Sequence, residues 1–272
     1  MENLYTVNEL YDGTHRTVKV DGRIIEMLQY AKQAYELTGG VVNVAMGSVL
    51  SIWHEHREIG VDEPWRATLP SMEKLVEAAP HADIDYLIID EVAETVWLAD
   101  PKMKLDVGAI AKGYAVEMVA QYMEQKGITG YVINVGGNVR TLGGKPDGNG
   151  WTVGIENPDP ESDEYLAKVQ LSGQSLVTSG SYQRYFLVGD RRYHHIIDPT
   201  TLMPSDYFTS VSIICNSSAL GDALSTALFC LPYEQGAALI ESLEGVEAMW
   251  LTVDGEKLYS SGFSDYEMAA QP

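Results

Sequence analysis

From Tyr131 to Cys215 the chain repeats one pattern, short runs of alternating apolar and polar residues closed by glycine, proline or asparagine. The runs read YVINVGGNVRTLGG, WTVGIENP, YLAKVQLSGQSLVTSG, RYFLVGDRRYHHIIDP and TSVSIICNSS. Alternation with period two is the signature of strands, whose successive side chains point to opposite faces of a sheet. Helical patterns stand before and after this series, so the class is α+β.

Upstream, Ile24, Ile25, Leu28, Ala31 and Tyr35 recur at helical spacing, and Thr38-Gly39-Gly40 closes that helix with a glycine C-cap signal. The stretch VVNVAMGSVLSIW is apolar, HEHREIGVDEPWRATLPS reads as a polar excursion, and a short helix follows near Met72 to Ala79. YLIID and TVWLAD alternate as a hairpin. KLDVGAIAKGYAVEMVAQYMEQKG predicts a long amphipathic helix with an apolar stripe of Ile110, Tyr114, Ala115, Met118, Val119 and Tyr122. ALGDALSTALFC and the region from Gln235 to Leu243 predict two further helices, and AMWLTVDGEKLYSS a last hairpin turning at Asp254-Gly255. No repeat or low-complexity linker divides the chain, so residues 1–272 are expected to form a single domain of two lobes sharing a cleft.

With 272 residues, 45% of them hydrophobic, a sizeable core is available. Net charge is −21, from 39 acidic against 18 basic residues. Such a surface repels nucleic-acid phosphates, so no nucleic-acid partner is expected. An anionic ligand must then be held by local positive groups or a metal. Cys215 and Cys230 sit among apolar residues and are expected to be buried thiols. MENLYTVNELYDG shows no targeting or lipid-attachment pattern, and no stretch has transmembrane length.

Five segments carry candidate chemistry. Asp222 and Thr226, four apart on one helix face with Ser225 beside them, offer hard oxygen ligands to Mg²⁺; equally, Asp222 is an early-turn acid and Thr226 a core filler. DVGAIAKG, from Asp106 to Gly113, joins small residues, a helix start and Lys112, a place for an anion or merely a helix capped by Asp106. GGNVRTLGG suits a backbone wrapped against a ligand, or simply a turn between strands. In HHIIDP one of His194 and His195 faces a given cleft and is a proton acceptor or a structural histidine. His54-Glu55-His56-Arg57 reads as a solvated charged loop before it reads as a metal cluster.

Taken in order, LDVGAIAKGYAVE, NVGGNVRTLGGKPDG, WTVGIENP, TSGSYQRYF, HHIIDPTT and DALSTALF closely resemble the ApbE family of FAD:protein FMN transferases. The resemblance runs from about Thr38 to the C-terminal hairpin. It implies a two-lobed α+β protein related to the tunnelling-type fold, with antiparallel and mixed sheets, flanking helices, and FAD with Mg²⁺ in the inter-lobe cleft. By resemblance the metal would be held by the Ala109 carbonyl with Asp222 and Thr226, Ser225 standing where some members carry a second aspartate. Flavin contacts would fall on Val41, Val42, Asn43, Asp106, Lys112 and Ile197. His195 is the expected proton acceptor, with Asp106 competing for that role.

The implied reaction moves FMN from FAD to a Thr or Ser hydroxyl of an acceptor flavoprotein of an electron-transfer system and releases AMP. Alternatives are an FAD pyrophosphatase and a non-catalytic FAD-binding protein. Family habit implies the extracytoplasmic face of the membrane, often with a lipid anchor. The chain begins after the Met-Gly-Thr and tyrosine-bearing segments usual in the family, Tyr5 to Asp12 matching at best the end of that region.

Overall fold

The computed structural model of the chain describes residues 4–9 and 17–268, so residues 10–12 of the Tyr5 to Asp12 segment lie outside the described ones. In chain order the elements begin with α1 (Leu4–Glu9), β1 (Val18–Lys19), α2 (Gly22–Leu37), α3 (Gly47–Asp62), α4 (Met72–Ala78), β2 (Leu87–Asp90), β3 (Thr95–Leu98) and α5 (Ala111–Gln125). There follow β4 (Tyr131–Val135), β5 (Asn138–Leu142), β6 (Trp151–Ile155), β7 (Ala167–Leu171), β8 (Ser175–Gly180), β9 (Tyr185–Val188) and β10 (Arg191–His194). Last come β11 (Phe208–Cys215), α6 (Ser218–Cys230), α7 (Tyr233–Glu241), β12 (Glu247–Thr252) and β13 (Lys257–Tyr259). They form two compact units, Met1–Ala109 with Arg184–Pro204, and Ile110–Gln183 with Ser205–Pro272.

In the first unit a small antiparallel sheet, order β1-β3-β2, joins helices α2 to α4 and the β9–β10 hairpin. Helix α2 starts at Asp21, whose carboxylate accepts the Arg23 N–H, and ends before Gly39, which takes φ of 61°. The expected polar excursion after Trp53 is instead the second half of α3, which runs on to Asp62. Gly60 hides the helical signal there, and a Cβ at this position would run into the Phe186 ring of β9. Val49 and Trp53 of the same helix pack with Leu75, Phe186 and Leu202, and the Trp53 indole donates to the Leu202 carbonyl at 2.9 Å.

The second unit is built on a six-stranded antiparallel sheet, order β13-β12-β11-β8-β5-β4. Along β5, Asn138 and Arg140 face α5 and α6, whereas Val139 faces the β6–β7 hairpin and packs with Val169, Leu171, Leu176 and Phe263. Period-two alternation therefore puts helices on one face and a hairpin on the other.

The apolar stripe expected on α5 is not its buried face: Val119 and Tyr122 are 50% and 61% exposed, while Gly113, Val116, Glu117 and Ala120 are buried. The reason is the partner helix. A Cβ at Gly113 would collide with the Ser218 carbonyl and with Asp222 of α6, so the small residues mark where the two helices approach most closely. Both cysteines are buried thiols, and burial pushes Cys215 up to about 12. Among the described residues no helix is long and apolar enough to cross a membrane.

Candidate active site

The α5–α6 junction gathers Lys112 and Asp222, both singled out by sequence. Asp222 Oδ2 accepts the backbone N–H of Gly113 at 2.7 Å, and Lys112 Nζ stands 3.5 Å from Asp222 Oδ1 and donates to the Gly136 carbonyl at 3.3 Å. The start of α5 thus spends one of its unpaired N–H groups on a side chain of α6. Burial pushes the Asp222 carboxyl above the usual carboxylate range, opposed by Lys112 and the Gly113 N–H. Asn138 Nδ2 faces the same carboxylate but closes no hydrogen bond with it. A buried carboxylate so incompletely compensated is a strong place for a cation.

Helix α6 places Thr226 one turn after Asp222, half-buried. Ser225 is fully buried, and its hydroxyl is engaged by Ser179 Oγ at 2.8 Å and by the Asp222 carbonyl at 3.0 Å. Among the described residues no group of three or more His, Cys, Asp or Glu side chains forms a metal cluster. One carboxylate with hydroxyl and carbonyl oxygens is nevertheless the hard-donor set that suits Mg²⁺, which keeps waters and phosphate oxygens for its remaining positions.

The other sequence candidates belong to the first unit, Ala109 being its last residue before the chain enters the second. Asp106 does not cap α5, whose N-cap position is Ile110; its Oδ1 accepts the Gly108 N–H at 2.8 Å in a local turn, and its backbone N–H donates to the Val44 carbonyl. That contact sets Asp106 beside the segment after α2. There Val41 is half-buried, the Val42 N–H donates to Thr38 Oγ1, and the Asn43 amide donates to the Ala82 carbonyl at 2.7 Å. His54 of α3 approaches Asp106 at 3.7 Å, and burial holds its imidazole below the usual range, so the ring is neutral at neutral pH.

His195 follows the end of β10. Its backbone N–H and its Nδ1 both approach the Arg184 carbonyl at 3.2 Å, so Nδ1 carries the proton and Nε2 keeps a free lone pair. Burial lowers its pKa to about 4. His194, on the strand itself, is buried. Ile197 is buried and pairs with Pro204 across the Asp198 turn.

A family profile described as the ApbE family matches residues 2–250. The chain belongs to the ApbE family. It is 33% identical over 273 residues to the FAD:protein FMN transferase of Klebsiella pneumoniae (strain 342), covering 96% of this chain and 81% of that one. The FAD:protein FMN transferase of Treponema pallidum (strain Nichols) is 34% identical, with 91% and 70% covered. Among solved structures, the ApbE protein of Thermotoga maritima MSB8 superposes with a TM-score of 0.85 at 28% identity, covering 97% of this chain and 84% of that one. Flavin transferase ApbE from Vibrio cholerae gives 0.75 at 28% identity, covering 92% and 79%.

Within this ApbE chain, three groups that hold the junction in place were not singled out from the sequence, although Glu117 closes LDVGAIAKGYAVE and Asn138 and Arg140 stand in NVGGNVRTLGGKPDG. Glu117 is 6% exposed; it accepts the Ser218 N–H at 2.7 Å, the Gln121 amide at 3.1 Å, and faces Arg140 Nε at 3.6 Å. Arg140 spends its remaining donors on the Thr141 and Gly173 carbonyls and on Glu124. Asn138 Oδ1 accepts the Ser218 hydroxyl. A lone Glu in a helix and an Asn-x-Arg in a strand look ordinary in isolation. The trace they left is the small-residue spacing of Gly113 and Ala120, which marks the close-packed face.

Proposed function

We infer that this chain transfers the FMN half of FAD to a hydroxyl of an acceptor protein, with Mg²⁺ as its metal. Membership of the ApbE family supports the transfer, and the pairing of Asp222 with Lys112 and the first turn of α5 carries the assignment of the site. FAD holds a pyrophosphate whose charge must be offset before an oxygen can attack phosphorus, and a chain of net charge −21 supplies that offset only locally. Mg²⁺, when bound, would supply it by offsetting the phosphate charge. Asp222 and Thr226, with the Ala109 carbonyl, are the residues proposed to hold the ion, Ser225 supporting them from beneath through its bond to the Asp222 carbonyl.

Lys112 is assigned to the phosphates, and Val41, Val42, Asn43, Asp106 and Ile197 to the flavin nucleotide. In the proposed step the acceptor Thr or Ser oxygen bonds to the FMN phosphorus. The bond from that phosphorus to the bridging oxygen breaks, and AMP departs. His195 takes the hydroxyl proton on Nε2, with Asp106 the second candidate for that proton. The tautomer fixed by the Arg184 carbonyl and the depressed pKa support His195, because the ring is unprotonated throughout the neutral range. Family resemblance also supports acceptors among flavoprotein subunits of electron-transfer systems, on the extracytoplasmic face of the membrane.

The test is mass spectrometry of an acceptor domain incubated with the chain, FAD and Mg²⁺. One FMN added to a threonine or serine, with AMP released, is expected; Asp222→Ala should leave the acceptor unmodified. FMN and AMP released with an unmodified acceptor would replace the transferase by a hydrolase.

A further inference from the structure

The turn between β4 and β5 reaches into the α5–α6 junction twice. Gly136 and Gly137, with φ of 52° and 83°, reverse the chain there. The Gly136 carbonyl receives the Lys112 ammonium at 3.3 Å, and Asn138, the first residue of β5, brings its amide against Asp222. A Cβ on Gly113 would run into both the Asp222 side chain and Asn138 Nδ2, so the amide and the carboxylate meet at the same point of α5.

Asn138 is fully buried, and the two ends of its amide differ. Oδ1 accepts the Ser218 hydroxyl, whereas Nδ2 has no hydrogen-bond partner. Electrostatics fixes that orientation, because the amide turned over would set its oxygen against the Asp222 carboxylate. With Oδ1 committed to Ser218, and Nδ2 offering only N–H donors, Asn138 is not itself a metal ligand. Nor is its partner loose. The Ser218 N–H donates to Glu117 Oε2 at 2.7 Å, and that oxygen faces Arg140 Nε at 3.6 Å. A series of buried groups thus runs from Arg140 through Glu117, Ser218 and Asn138, and it ends in an amide N–H directed at Asp222. A buried donor without an acceptor is costly, and the acceptor it faces is that carboxylate.

We propose that Asn138 is a positioning residue for the metal: its Nδ2–H and the Gly113 N–H together fix the rotation of the Asp222 carboxylate, so that Oδ1, the oxygen facing Lys112, is the one offered to the ion. The inference rests on the metal reading above. A carboxylate held by Gly113 alone can turn about its own axis, whereas one held from two sides meets the ion already oriented.

The test titrates Mg²⁺ into the full chain with FAD and reads the Mg²⁺ concentration that gives half-maximal FAD binding. Asn138→Leu keeps the volume and removes the amide. It should raise that concentration about tenfold or more, and leave the FAD dissociation constant in EDTA equal to that of the wild type. Ser218→Ala, which frees the amide to turn, should shift it in the same direction by less, and it decides the matter if Asn138→Leu does not fold. A lower melting temperature with an unchanged Mg²⁺ requirement would make Asn138 a packing residue and overturn the proposal. So would an equal weakening of FAD binding in EDTA, which would place the amide on the nucleotide. A wild type whose FAD affinity ignores Mg²⁺ would instead overturn the metal reading.

Discussion

The α5–α6 junction and the candidate groups of the first unit hold functional side chains by opposite means. At the junction, Lys112, Glu117 and Asp222 stand on helices and Asn138 and Arg140 on a central strand, joined in a buried network whose partners lie 16 to 109 residues apart in sequence. In the first unit Asn43 lies between α2 and α3, Asp106 between β3 and α5, and His195 just past β10, each oriented mainly by backbone groups of a neighbouring turn or segment. Charge buried in a packed network is coupled to folding, whereas groups on connections can change without disturbing a core. Substitutions of the junction's supporting groups Glu117, Asn138 and Arg140 should therefore register in stability, and those in the first unit in rate.

The largest effect should come from Glu117→Ala, which leaves the Arg140 guanidinium short of a partner and the Ser218 N–H unsatisfied. Breaking a buried pair from one side costs about 3–5 kcal/mol, read as a lower denaturant midpoint at unchanged slope. A loss below about 1 kcal/mol would erase the contrast between the two regions.

His195→Gln tests the other side. It should lower kcat by roughly a hundredfold or more and leave the melting temperature nearly unchanged. Because burial depresses His195 to about 4 from an unfolded value near 6.5, the ring stays a base throughout the range above its folded pKa. The acidic limb of the wild-type rate should fall near pH 4 and not near 6.5. The same depression makes the fold lose stability as pH drops from about 6.5 towards 4, since the unfolded chain then binds the proton more readily. A rate limb centred near 6.5 that persists in His195→Gln would assign the proton to another group.

The smallest effect belongs to His54→Ala. The 3.7 Å approach to Asp106 is partly exposed and the imidazole is neutral, so FAD affinity should change only a few-fold, in line with about 0–1 kcal/mol for such pairs. A larger loss would show that Asp106 depends on His54 for its orientation, and would make the first unit less permissive than described.

Much of this architecture was legible wherever periodicity was undisturbed. α2, α6 and the β2–β3 and β12–β13 hairpins stand where the patterns of Ile24 to Leu37, ALGDALSTALFC, and the alternating runs place them. Two readings went astray for physical reasons. α3 carries His54-Glu55-His56-Arg57 on its surface and Gly60 against Phe186, which mimic a loop although Val49 and Trp53 keep helical spacing. α5 has apolar residues on two faces, and close approach to α6 selects the small-residue face over the one bearing Val119 and Tyr122. At the site, Asp222 and Lys112 were visible through their motifs. Glu117, Asn138 and Arg140 lay inside quoted motifs but were not singled out, because a long-range network has no local period.

The central proposal is that the buried Asp222 carboxylate is a ligand of the Mg²⁺ that serves FAD. Calorimetric titration of FAD into wild type and Asp222→Asn, each in Mg²⁺ and in EDTA, tests it most directly, since asparagine keeps an oxygen for the Gly113 N–H while removing the charge. FAD affinity of the wild type should rise at least about tenfold with Mg²⁺, equivalent to ~1.4 kcal/mol, and that of Asp222→Asn should not respond. An equal Mg²⁺ response in both proteins would contradict the account.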